Sequence, residues 1–90
     1  MNAVTRIIRK PELKEKMGLG SNSTVYAHVE EGTLTPPVKI GLRASGWPEN
    51  EADAINAARI AGKTDDEIKD LVRNLVAKRQ LLADEILAAI

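Results

Sequence analysis

Residues 18–47 read G-L-G-S-N-S-T-V-Y-A-H-V-E-E-G-T-L-T-P-P-V-K-I-G-L-R-A-S-G-W, and this stretch decides the fold. Ser21 is a favourable helix N-cap, and Gly32 is the residue type that ends a helix in a left-handed conformation. Val25 and Val29 are four residues apart, so both face the interior. The stretch therefore predicts a short helix that is entered through a tight, glycine-containing turn.

A β-hairpin is predicted directly after this helix. Residues 36–37 are both proline and lack amide donors, so the chain there is extended and irregular. Residues 38–40 alternate as a strand does, residues 41–46 are predicted to form a turn with Arg43 near its tip, and a return strand is entered at Trp47. A short helix followed by a hairpin is how small domains present a helix to the DNA major groove and a loop to the flanking backbone.

The N-terminal side of the stretch predicts a companion helix. Pro11 suits a first helical turn, and Leu13 and Met17 are four residues apart on one face. Gly18 ends this helix after about two turns. Residues 4–9 are β-branched and bounded by charge, which is typical of an edge strand. The two short helices together form a candidate helix-turn-helix.

The second half of the chain predicts two more helices. An Ala-rich helix opens with Glu49 and runs to about residue 61, where Gly62 ends it. Thr64 and Glu67 form a capping box that opens the longest helix, about residues 65–89. Its apolar residues follow a four-three spacing typical of a helix-pairing seam. The predicted oligomerisation residues are Ile68, Val72, Leu75, Leu82 and Ile86.

Arg79 interrupts this seam, and either a pair with Glu or Asp or a short break in the contact would suit it there. Two arrangements are open for the helix: it either folds back over its own domain or pairs with a second copy. We favour self-association, because its apolar surface exceeds what one short bundle needs. The predicted fold is α+β and mostly helical: a winged helix-turn-helix domain over residues 1–62, and a C-terminal oligomerisation helix over residues 63–90.

Composition excludes several classes of protein. The chain has 90 residues, enough for one small domain, and no cysteine, so disulfides and thiolate zinc sites are excluded. It lacks both an apolar run of about 18 residues and a secretory-signal pattern, so we expect a protein that spans no membrane. Net charge is zero, yet residues 1–47 carry seven Lys or Arg and four Asp or Glu. This basic half holds the helix-turn-helix candidate and points to an anionic partner.

No enzyme is predicted. His28 is the only histidine and sits beside the inward stripe, which favours a partly buried structural role. Residues 57–64 (A-A-R-I-A-G-K-T) match a relaxed Walker A pattern, but strong helix formers precede the glycine and the chain is too short for the required sheet. No spacing of metal ligands is present. We therefore expect no cofactor, no metal and no small-molecule substrate.

Polar residues of the second helix and the hairpin are candidates for DNA contact. The helix N-terminus favours phosphate, and hairpin cations suit the DNA backbone or minor groove. The candidate DNA-binding residues are Ser21, Asn22, Ser23, Thr24, Tyr26, Lys39 and Arg43. Glu30 and Glu31 would repel phosphate if they faced it. From spacing alone, ordinary solvated polar residues are an equally open interpretation.

Several ordered motifs together resemble a known family. They are R-I-I-R at residues 6–9, S-x-S-T-V-Y at 21–26, E-G at 31–32, P-V-K-I-G-x-R at 37–43 and G-W-P at 46–48. This set is similar to the AlpA family of phage and prophage regulators, which itself resembles MerR-type winged helix-turn-helix proteins and phage excisionases. The resemblance implies a cytoplasmic protein that binds double-stranded DNA to regulate transcription or assist excision.

The resemblance also implies roles for two segments. Residues 21–31 would be the recognition helix and residues 39–43 the wing. Family members usually carry basic residues where this chain has Asn22, Ala27 and Glu30, so we expect a dimer or higher homo-oligomer to strengthen binding through two half-sites. Two alternatives stay open: an excisionase-type architectural factor, and a protein-interaction module that acts through the C-terminal helix.

Overall fold

A computed structural model describes residues 6–90 of the chain. The elements in chain order are β1 (Ile7–Ile8), α1 (Lys10–Met17), α2 (Asn22–Glu31), β2 (Val38–Gly41), β3 (Ala44–Pro48), α3 (Glu49–Ile60) and α4 (Asp65–Ala88). The strands form an antiparallel sheet in the order β1-β3-β2. The predicted fold class is confirmed: the protein is α+β and mostly helical, with a helix-turn-helix, a small hairpin and a long C-terminal helix.

The helix ends follow the predicted caps. Gly18 and Gly32 adopt left-handed conformations, with φ of 70° and 85°, where a side chain would be strained. The Ser21 hydroxyl accepts the amide of Thr24 at 3.2 Å and so caps α2. Thr64 caps α4 in a capping box. Local polar chemistry therefore sets where these helices begin and end.

The hairpin is longer and tighter than predicted. Its turn consists of Leu42 and Arg43 alone, because Gly41 pairs directly with Ala44. The expectation of a turn over residues 41–46 and of a return strand entered at Trp47 is therefore wrong. Small residues at the start of β3 hide the strand from an alternation pattern, since they lack the large apolar side chains on which such patterns depend.

The strand β1 crosses the base of this hairpin. Ile8 pairs with Trp47, which places β3 in the centre of the sheet. A Cβ added at Gly46 would lie 2.6 Å from the carbonyl oxygen of Ile8 and 2.7 Å from Cγ2 of Ile7. Glycine is thus required there by the close approach of β1. The predicted edge strand at residues 4–9 is present at Ile7–Ile8, and the first two residues of that range lie outside the described chain.

The core is aliphatic around a single indole. Trp47 is fully buried, and its Nε1 donates a hydrogen bond to the carbonyl oxygen of Thr35 at 2.7 Å. The other buried apolar residues come from β1, from all four helices and from the segment before β2. They are Ile8, Leu13, Val25, Leu34, Ala52, Ile55, Ile68 and Val72.

The first half of α4 belongs to this core. Ile68 and Val72 are 1% and 6% exposed, and Leu75 packs against the same cluster. The turn after α3 folds α4 back along its own domain, which covers Ile68 and Val72, and their part in an oligomer seam stays a prediction. Of the two arrangements left open, folding back describes α4 as far as Arg79. The predicted boundary at residue 62 does not divide the core.

Arg79 breaks the apolar spacing because it forms a largely buried ion pair. Its guanidinium donates to the two carboxylate oxygens of Glu51 at 2.7 and 2.6 Å and to the carbonyl oxygen of Pro36 at 2.8 Å. Glu51 is only 3% exposed. The expected pairing of Arg79 with an acid is confirmed, within the chain. This bidentate contact holds α4 against α3 and against the segment that enters β2.

A second network joins Arg6, the residue before β1, to α1 and α3 at the surface. Arg6 donates to the two carboxylate oxygens of Glu49 at 3.0 and 2.9 Å, and Lys16 lies 3.2 Å from Glu49 and 2.6 Å from Asp53. The hydrogen bonds from Arg6, and after them those from Lys16, lower the pKa of Glu49 to about 2. Glu49 therefore stays ionised in the folded protein at pH values where an unpaired glutamate begins to take up a proton.

This pKa predicts acid sensitivity. Because the pKa of Glu49 is lower in the folded than in the unfolded chain, its stabilisation is complete above the ordinary value of 4.5 and is lost as the pH falls toward 2. We expect Glu49→Gln to flatten the loss of unfolding free energy between pH 5 and pH 3 in urea titrations. Glu15→Gln, at an exposed glutamate of α1 that pairs with no described cation, should leave that loss unchanged. Equal pH profiles for the parent and Glu49→Gln would contradict the assignment.

Candidate nucleic-acid interface

The outward side of α2 is polar at its N-terminal end. Asn22 and Ser23 are exposed, Tyr26 is 45% exposed, and Val25 is buried in the core. Ser23 faces away from Val25, and Asn22 and Tyr26 lie on the flank of the helix that the core leaves open to solvent. Their exposure is what a recognition helix needs, and their contact with DNA stays a prediction.

Ser21 and Thr24 already have a structural task. The Ser21 hydroxyl accepts the Thr24 amide, and the two hydroxyl oxygens lie 2.9 Å apart. Thr24 is also half-buried. Each hydroxyl is thus engaged in the cap of α2, so a DNA contact by either residue, which stays a prediction, must be made alongside the cap.

Lys39 and Arg43 project from the hairpin. Both are exposed, and neither side chain forms an ion pair or hydrogen bond with any other residue in the range 6–90. Residues 32–48, which contain the whole hairpin, include no Asp or Glu. The two charges are therefore not neutralised locally, which suits them to phosphate.

Arg9 and Lys10 connect the hairpin to α2, and neither was predicted to contact DNA. Arg9 Nε donates to the carbonyl oxygen of Ser45 at 3.1 Å, and Ser45 is the partner of Lys39 in the β2–β3 ladder. Lys10 Nζ lies 4.6 Å from the centroid of the Tyr26 ring, a cation–π contact. Their position depends on the pairing of β1 with β3, which no local sequence pattern specifies.

We call the surface formed by Arg9, Lys10, Lys39 and Arg43 the basic face. It runs from the exposed side of α2 to the tip of the hairpin. Of the other cations among residues 6–47, Arg6 and Lys16 are held by carboxylates, and Lys14 lies on α1. The basic face therefore gathers cations that no carboxylate neutralises, and it lies beside the helix predicted to read DNA.

The C-terminal end of α2 opposes this charge. Glu30 and Glu31 are exposed, and Glu30 follows Tyr26 by four residues, so it lies on the same side of the helix. A phosphate placed there would be repelled. The favourable field is thus limited to the first turns of α2 and to the hairpin.

His28 has a structural role, as predicted. It is half-buried, and its Nδ1 lies 2.9 Å from the hydroxyl of Thr33. The adjoining cavity has a volume of about 10 Å³, room for about one water molecule. A shallower surface groove of about 430 Å³ lies between α3 and α4. Within residues 6–90, no group of three His, Cys, Asp or Glu side chains is placed to hold a metal ion.

Residues 6–58 match a family model described as prophage CP4-57 regulatory protein (AlpA). The chain belongs to the AlpA family. The resemblance drawn from the ordered motifs is therefore confirmed, and the match contains β1, α2, the hairpin and the whole basic face. It ends before α4, so the family accounts for the helix-turn-helix and hairpin but not for the C-terminal helix. Searches of curated proteins and of solved structures each found no match.

Membership in the AlpA family points to a phage or prophage regulatory protein rather than an enzyme. No helix in the described part of the chain has the length and apolar character needed to cross a bilayer. The basic face adds a surface that is suited to an anionic partner.

Proposed function

We propose that this AlpA-family chain is a sequence-specific DNA-binding regulator of phage or prophage genes in the host cytoplasm. In this proposal α2 enters the major groove, the β2–β3 hairpin acts as a wing on the neighbouring backbone, and no reaction is catalysed. The observation that carries the proposal is the basic face. Its cations meet no carboxylate and border the exposed side of α2.

The proposed contacts divide into two kinds. Asn22 and Ser23, at the start of α2, are placed to reach base edges or phosphates, and the Tyr26 hydroxyl can donate to a phosphate. Lys39 and Arg43 position the protein on the backbone and carry no sequence information themselves. Sequence is thus read by few residues, which makes one copy of the protein a modest binder.

A second copy would raise the affinity, and α4 offers the surface for it. The apolar residues of α4 that pack against the core end at Leu75. Beyond Arg79, Leu82 and Ile86 are only half-buried, and Leu87 is 66% exposed. We therefore propose that the oligomerisation extension begins after Arg79, and that two half-sites are bound together by its pairing.

This extension predicts a change in assembly state. We expect Ile86→Asp to lower the sedimentation coefficient of the parent toward that of the monomer, because a buried charge opposes helix pairing. Leu81→Asp is the matched control, since Leu81 is 63% exposed and lies outside the four-three seam. Unchanged sedimentation of Ile86→Asp, or a parent that is monomeric throughout the concentration range, would remove the seam from the proposal.

Two other functions use parts of the same surface. An excisionase-type architectural factor would bind through the same α2 and hairpin and would act by bending DNA. A protein-interaction module would act through the exposed apolar residues of α4 instead, with Glu30 and Glu31 keeping α2 from DNA. A DNA-binding measurement distinguishes the protein-interaction module from the regulator and the architectural factor, because only the latter two bind DNA.

The test is a fluorescence-anisotropy titration of the full chain. The probe is duplex DNA from the region upstream of its own gene, at two salt concentrations, with random duplex as competitor. We expect binding that survives competition and weakens with salt as several phosphate contacts require. A folded chain that binds no duplex at low salt would overturn the proposal and favour the protein-interaction module.

A further inference from the structure

The tip of the hairpin carries an exposed apolar side chain. Leu42 occupies the first of the two turn residues and is 90% exposed. Turn positions are ordinarily polar or glycine, because an apolar group there gains nothing from the fold. Leu42 therefore has no part in the core, and its free energy improves only if something outside the chain covers it.

The hairpin beneath Leu42 is firmly held. Its base contains the buried Trp47, and β1 approaches β3 so closely at Gly46 that an added Cβ would lie 2.6 Å from the carbonyl oxygen of Ile8. Arg9 braces β3 by its hydrogen bond to the Ser45 carbonyl. Because the base of the hairpin is already ordered, insertion of its tip into a groove would cost little additional conformational entropy.

The surroundings of Leu42 favour a polyanion as the partner. Arg43 is its neighbour in the turn, Lys39 lies on β2, and residues 32–48 contain no carboxylate. Ile40, 48% exposed, continues the apolar surface behind the tip. Leu42 is thus an exposed apolar side chain between two unpaired cations. This arrangement matches a groove of duplex DNA, because phosphates line both edges of the groove and the stacked faces of the base pairs between them are apolar.

We propose that Leu42 is a wedge that enters the minor groove and partly separates two stacked base pairs, bending the DNA toward the major groove. This inference rests on the proposed function and adds the form of the DNA to it. Lys39 and Arg43 would hold the phosphates on either side of the groove while Leu42 occupies the opened step. Pyrimidine–purine steps unstack most readily, so the preferred sites would carry TA or CA at the position of the wing.

A regulator that inserts such a wedge is also an architectural protein, because it bends the DNA that it binds. A wedge reads the deformability of a base step rather than its hydrogen-bonding edge, so it adds specificity at a position that α2 does not touch. This extra readout would compensate for the small number of polar residues that α2 offers.

The probe for the test is a duplex recovered by in vitro selection with the full chain from a randomised pool. End-labelled copies report bending by energy transfer, and copies with 2-aminopurine at successive steps report unstacking by a rise in fluorescence. We expect the parent to bend the duplex and to raise the fluorescence at one step. We expect Leu42→Ala to lose both signals and to bind about tenfold more weakly, because the apolar contact is gone.

Two further variants fix the interpretation. Leu42→Met keeps an apolar side chain of similar length and should retain both signals, whereas Ile60→Ala, at an isoleucine that is 86% exposed at the end of α3, should match the parent throughout. Leu42→Ala that bends the duplex as the parent does would overturn the wedge, as would a parent that binds a straight duplex. A change in sedimentation of free Leu42→Ala would also overturn it, by giving Leu42 a protein partner. Failure of the parent to select any duplex would defeat the proposed function itself, and the wedge with it.

Discussion

The double variant Lys39→Ala/Arg43→Ala is expected to bind duplex DNA about a hundredfold more weakly than the parent near 0.1 M salt. Both cations are exposed and unpaired among the described residues, so their full charge is available to phosphate. Each lost phosphate contact removes about one from the slope of log affinity against log salt and costs about tenfold at this ionic strength. Anisotropy titrations at several salt concentrations measure both quantities.

The matched control is Lys63→Ala/Lys78→Ala. Lys63 lies in the turn between α3 and α4, Lys78 lies on α4, and both are exposed lysines that are not part of the basic face. The control loses the same net charge but should keep the salt slope of the parent and change affinity by less than about threefold. Equal weakening in the two double variants would mean that net charge alone drives binding, and the hairpin would lose its assigned role.

Much of the fold follows from local chemistry in the sequence. Ser21, Gly32 and the Thr64–Glu67 capping box each cap or end a helix through groups that lie within four residues. The helices can therefore be predicted without knowledge of the tertiary structure. The strand formed by the small residues at the start of β3 could not be predicted in this way. Their strand is specified by pairing with β1 and β2 rather than by their own side chains.

The interpretation of α4 is limited by a different cause. A seam of apolar residues indicates that one side of a helix is buried. It does not indicate whether that side packs against α3 of the same chain or against a second copy. Ile68 and Val72 bury against their own domain, whereas Ile86 follows the same spacing but lies beyond the core. The change occurs at Arg79, whose partner Glu51 is 28 residues away. Only the tertiary structure supplies that partner.

The basic face shows the same limit for function. Lys39 and Arg43 were predicted because they lie in a recognisable hairpin. Arg9 and Lys10 are separated from them by about 30 residues, and the β1–β3 pairing and the contact of Lys10 with Tyr26 bring them to the same surface. The net positive charge of residues 1–47 predicts that this half has a basic surface, but it does not identify the residues that form it. Arg6 and Lys16 contribute to that net charge, yet both are neutralised by carboxylates in the fold.

Trp47→Ala is expected to lower the free energy of unfolding by about 3–5 kcal/mol, the largest effect on stability of any variant considered. The indole is fully buried between β1 and the helices, and the rest of the core is aliphatic, so no neighbouring ring can fill the space. A domain of this size is stabilised by about 5–15 kcal/mol at most, so the variant would be near the limit of folding. Urea titration followed by far-ultraviolet circular dichroism measures the change, because the only tryptophan is removed.

Trp47→Phe separates packing from hydrogen bonding in the same measurement. The smaller ring keeps much of the apolar contact but leaves the Thr35 carbonyl oxygen without the indole donor that lies 2.7 Å away. We expect a loss of about 1–3 kcal/mol for this buried, unsatisfied acceptor, clearly less than for alanine. Leu42→Ala, in the same hairpin but 90% exposed, should change stability by less than about 0.5 kcal/mol. If Trp47→Ala were as stable as Leu42→Ala, the hairpin would not be anchored through its indole, and the firm base that positions Lys39, Arg43 and Leu42 toward DNA would be lost with it.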